Sequence, residues 1–171
     1  MNTTYLLIRV LHVLCGALWV GAALFSSLFL TPAAQDLGPD GAKVMLALRK
    51  RGLIAYFPII ATITLLSGVW LYWRFTAGFS PEVSRSHAGM AFGLGAVCGL
   101  AGFIVGGPIL SVSLVKAMKL STEAAGLPDG RDKADRLSRA AALRRRAALA
   151  GQIVSVLLVA ATMLMALARY F

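Results

Sequence analysis

Charge is scarce in this chain, and negative charge scarcest. Of its 171 residues only 14% are charged and seven are Asp or Glu, against 58% hydrophobic. A soluble domain carries about 25% charged residues, so this balance belongs to a chain whose solvent is lipid. None of the seven acids falls inside an apolar run. A carboxylate-based proton or cation relay therefore has no seat, which argues against a conventional ion-coupled transporter. There are two cysteines, Cys15 and Cys98, each within an apolar run and with no CxxC pair. They support no disulfide framework and read as small apolar residues. HExxH, a phosphate-binding glycine loop and a nucleophile elbow are all missing, so whether the chain is an enzyme stays open.

What is present is apolar length. Four stretches, near 5–30, 53–73, 88–115 and 147–168, each reach the roughly 20 residues that cross a 30 Å hydrocarbon layer as a helix. The first is too long for a cleaved signal, with Arg9 its only early charge. The expected fold is an all-α integral membrane four-helix bundle, a single domain over 1–171 with helices near 5–30, 53–73, 81–115 and 132–169. Thirteen of the 17 Lys and Arg residues fall in the first and third connections, and four on the other side. The thirteen are expected in the cytoplasm and both termini on the outer, periplasmic side of a bacterial inner membrane. The net charge of +10 thus reflects membrane flanks and contacts to lipid headgroups; no nucleic acid partner is expected.

Local signals refine the boundaries. Tyr5, Trp70, Tyr72, Trp73, Tyr170 and Phe171 form an aromatic belt at the outer interface. Ser80-Pro81-Glu82 reads as an N-cap, a first-turn proline and a dipole-favoured acid, placing the start of helix three near 81. Residues 131–146 have helical composition and extend helix four beyond the lipid. Pro58 should kink helix two, and Gly106-Gly107-Pro108 should bend helix three. Helix three also carries glycines four apart (Gly89/Gly93, Gly95/Gly99, Gly102/Gly106), which suit close helix packing or a homodimer interface.

The chain has two histidines, His12 and His87. With helix three starting at Pro81, both are expected in the outer leaflet at comparable depth, where facing helices of a bundle hold cofactors. Imidazole suits haem iron and copper alike. For a haem b, Arg9 and Arg85 are placed to pair with propionates. Gly16 and Gly89 would clear space beside each histidine, and Trp19, at i+7 from His12, would pack on a ring. Either histidine could instead serve as a hydrogen-bonding residue between helices or at the interface. Copper would draw on His12, Cys15 at i+3 and Met90. A non-catalytic scaffold dimerising through helix three is the third reading.

The run Arg9-Val-Leu-His12-Val-Leu-Cys15-Gly16-Ala-Leu-Trp19-Val-Gly21 resembles the first helix of the copper-resistance D (CopD)-like superfamily, which includes the HemJ-type membrane protoporphyrinogen oxidases. Tyr56-Phe57-Pro58 and Leu65-Leu66-Ser67-Gly68-Val69-Trp70-Leu71 resemble its second helix. The resemblance covers helices one and two, helix three loosely and helix four by hydropathy alone. It implies an inner-membrane protein binding haem through His12, with His87 as second axial ligand and a role in redox or electron transfer. HemJ-type proteins carry a functional lysine just after the helix-three histidine. That position is Gly89 here, so protoporphyrinogen oxidation is not implied.

Overall fold

The computed structural model describes residues 2–171; most are helical, with no strand among them. Four helices are long and apolar enough to cross a membrane: α1 (Thr3–Asp36), α3 (Leu53–Phe75), α5 (His87–Ala125) and α6 (Arg131–Tyr170). Two shorter ones connect them, α2 (Pro39–Lys50) and α4 (Pro81–Ser84). α1 and α5 each change pitch once, in π-turns at Ser26–Leu30 and Val105–Ser111.

α1 packs mainly on α3 and more lightly on α6; α5 packs on α6 and α3. The long helices therefore run round the bundle in chain order, with α1 and α5 on a diagonal. Aromatic pairs tie one end together: Tyr5 with Trp70, Phe75 with Phe92, and His87 with Phe171, at centroid separations of 5.2–6.3 Å. Both termini and the 76–86 connection thus share one end of the bundle, and the strongly basic connections share the other. At mid-depth Trp19, Ala23, Ile60, Ala61, Val154 and Leu158 form the core.

α5 and α6 form a long antiparallel hairpin that continues past the apolar runs. On α6, Ala140, Ala147, Val154, Ala161 and Ala168, seven apart, are all buried, a heptad seam. On α5, Gly95 and Gly102 follow the same repeat, and two further heptads would reach Lys116. The π-turn around Gly106-Gly107-Pro108 accommodates one extra residue. Ala117 and Ala124 take the seam instead, at 1% and 0% exposure, and Lys116 points outward. Ser111 Oγ donates to the Gly106 carbonyl at 3.0 Å, covering an acceptor the wider turn loosens.

Several boundaries differ from the sequence expectation, and helix three also ends later, at Ala125 rather than near 115. α1 runs on from Leu30 to Asp36, because its π-turn absorbs Pro32 without ending the helix. Ser80-Pro81-Glu82 starts only the single turn of α4, and the Ser80 side chain makes no cap bond. α5 starts afresh at His87, where Ser86 Oγ accepts from Gly89 N–H at 3.1 Å. Connection one contains the helix α2. There Gly41 lies against the Ala34 carbonyl, where a Cβ would approach to 1.8 Å.

Candidate functional site

His12 belongs to the inward stripe of α1 that includes the buried Cys15, Trp19 and Ala23 at i+3, i+7 and i+11. Its ring turns onto α3. Nδ1 lies 2.9 Å from the Thr64 carbonyl oxygen and 3.2 Å from Ser67 Oγ. A carbonyl only accepts, so Nδ1 carries the proton and donates, and Nε2 keeps its lone pair. Nε2 makes no hydrogen bond in the chain and is not sealed from its surroundings. Ser67 Oγ is itself anchored on the Ile63 carbonyl at 2.6 Å.

Space for this arrangement comes from a glycine on the facing helix. A Cβ at Gly68 would stand 2.8 Å from His12 Cε1 and 3.3 Å from Nδ1, so the Cε1 edge of the ring occupies the space a side chain at position 68 would fill. Gly68 and the Thr64–Ser67 pair adjoin His12; Ser67 and Gly68 entered the sequence reading only as part of the helix-two motif, not as candidate site residues, and Thr64 did not enter it. Gly16, expected to make room, lies beside Thr64, where a Cβ would find an ordinary 3.6 Å contact.

His87 is elsewhere. It is the exposed first residue of α5, its ring 6.2 Å from that of Phe171. Tyr72 donates to the Gly89 carbonyl, which sets the register between α3 and α5. Thr64 lies eight residues further along α3, about 12 Å deeper at 1.5 Å per residue. The expectation of comparable depth is thus corrected, because helix three begins at His87 rather than six residues before it. Depth and the α1–α5 diagonal both keep the two imidazoles apart.

The remaining candidates divide. Arg9 and Arg85 are exposed, on α1 and between α4 and α5. Trp19 is 5% exposed and packs in the core cluster with Ile60, Ala61, Val154 and Leu158. Gly89 serves the tight α4–α5 junction, where a Cβ would meet the Val83 carbonyl oxygen at 2.1 Å. For copper, Cys15 is buried toward the core, whereas Met90 is exposed on the diagonal helix. Among the described residues no three His, Cys, Asp or Glu side chains gather as a metal cluster.

All of the helix-three glycines but Gly107 face their own chain. Gly95 and Gly102 adjoin Met165 and Leu158 of α6, and Gly93 and Gly99 adjoin Tyr72 and Leu65 of α3. Comparison with protein-family models, with curated proteins and with solved structures finds no match.

Proposed function

We propose that this is a multi-pass protein of the bacterial inner membrane, termini outward, that holds a haem b on His12 for electron transfer. One observation carries the reading: an imidazole deep in an apolar helix, its Nδ1–H fixed by Thr64 O and Ser67 Oγ, with Nε2 left free. Metal-ligating histidines have this second-sphere arrangement, which sets the tautomer and raises the basicity of the coordinating nitrogen. The donor chemistry therefore fits haem iron at His12. The resemblance of α1 and α3 to the CopD-like superfamily supports the same residue. Haem, when bound, would supply one-electron chemistry.

The chain's own contribution is to hold the ring. Thr64 and Ser67 orient it, Gly68 admits it, and Trp19 and Ala23 pack the level beneath. The thirteen basic residues at one end support the orientation. Purification from haem-replete cells tests the proposal: stoichiometric haem with a Soret band is expected. A colourless, iron-free preparation would overturn it and leave His12 as an interhelical hydrogen-bonding residue.

A further inference from the structure

Where α5 and α6 leave the apolar zone, their surface carries an open-sided groove of about 460 Å³. Val105 and Ile109 of the π-turn line one side. Leu149 and Ile153 of α6 line the other, and Arg145 and Arg146 stand at its basic end. Ala142 and Ala150 of α6 also line it, with small side chains, and the π-turn that supplies Val105 and Ile109 also holds Gly107. A Cβ on Gly107 would find nothing within 4 Å.

The arginines nearby are used differently. Arg144 donates to Ser121 Oγ at 2.8 Å, and Arg136 pairs with Glu123. Arg145 and Arg146 are exposed and have no acidic partner among the described residues. The closest acid along α6 is Asp135, ten residues before Arg145, or about 15 Å. Two unpaired guanidinium groups thus cap a trough whose other walls are aliphatic.

We infer that this groove binds an anionic phospholipid, its phosphodiester on Arg145 and Arg146 and an acyl chain along Val105, Ile109, Leu149 and Ile153. Guanidinium offers paired donors to phosphate oxygens, and anionic lipid populates the cytoplasmic leaflet that the basic end would face. The inference rests on membrane insertion and is independent of haem at His12.

The test uses the full chain, delipidated in detergent and titrated by native mass spectrometry with phosphatidylglycerol or phosphatidylcholine of matched chains. Phosphatidylglycerol should bind at least about tenfold better. Arg145→Gln/Arg146→Gln should lose that preference, and Arg131→Gln/Arg139→Gln, further out on α6, should keep it. Melting of both variants in phosphatidylcholine nanodiscs should match the parent, so that lost binding is not lost folding. Glycerol phosphate, a headgroup without a tail, should fail to displace the lipid. Equal binding of both lipids, an unchanged preference in Arg145→Gln/Arg146→Gln, or displacement by glycerol phosphate would each overturn the inference.

Discussion

A Cβ at position 68 would lie 2.8 Å from Cε1 of His12, so the imidazole and the glycine occupy one fitted volume. Gly68→Ala should displace the ring, abolish the haem binding proposed for His12 and cost about 1–3 kcal/mol by overpacking. Gly21→Ala, where a Cβ meets nothing within 4 Å, should stay within about 0.5 kcal/mol. Soret absorbance and thermal unfolding in detergent measure both. Ser67→Ala leaves the Thr64 carbonyl to hold Nδ1, so its cost should not exceed about 1 kcal/mol and most of the haem should remain. At this scale His12 was legible, because an imidazole among aliphatic residues stands out without any partner being known. Gly68 was visible as part of a motif, but its role was not: that lies in a contact with a residue 56 positions earlier on another helix. His87 looked equivalent only because Ser80-Pro81-Glu82 has the chemistry of a helix start. Ser86, whose hydroxyl actually caps Gly89, is the weaker signal by eye and the stronger one in geometry.

Among the elements, the α5–α6 hairpin gives the sharpest example of sequence controlling register. Gly106-Gly107-Pro108 could be read as a weak point of the helix, since proline removes a donor and glycine adds freedom. That the weakness takes the form of a π-turn, and so moves the seam from Lys116 to Ala117, depends on the alanine column of α6. No single helix contains that information. Deleting Gly107 removes that extra residue: Ala117 then stands two heptads after Gly102, so the segment should close into a regular α-helix with Ala117 still on the seam. Lys116 and Lys119 would keep their outward positions. Limited trypsin digestion should therefore cleave at Lys116 and Lys119 no faster in the deletion variant than in the parent. Faster cleavage there would mean that the turn does not serve to absorb an extra residue.

At the level of the whole molecule, hydropathy marked four apolar stretches, and the structure has four helices long and apolar enough to cross a membrane; the distribution of basic residues proposes an orientation for them. The lateral order of the helices was not readable, since an apolar run does not say which neighbour it meets. It is seen in the ring pairs Tyr5–Trp70, Phe75–Phe92 and His87–Phe171. The orientation is open to labelling in a Cys15→Ala, Cys98→Ala background. Glu82→Cys should react with an impermeant maleimide in intact cells, and Asp129→Cys only after lysis. The reverse pattern would invert the topology and place the arginine-capped groove in the other leaflet.

Haem on His12 and not on His87 is what we propose for this bundle. Absorption spectra of the purified parent, His12→Ala and His87→Ala proteins, taken at equal protein concentration, test it most directly. A Soret band that is lost in His12→Ala and retained in His87→Ala is expected. An undiminished band in His12→Ala, or no band in the parent, would contradict it.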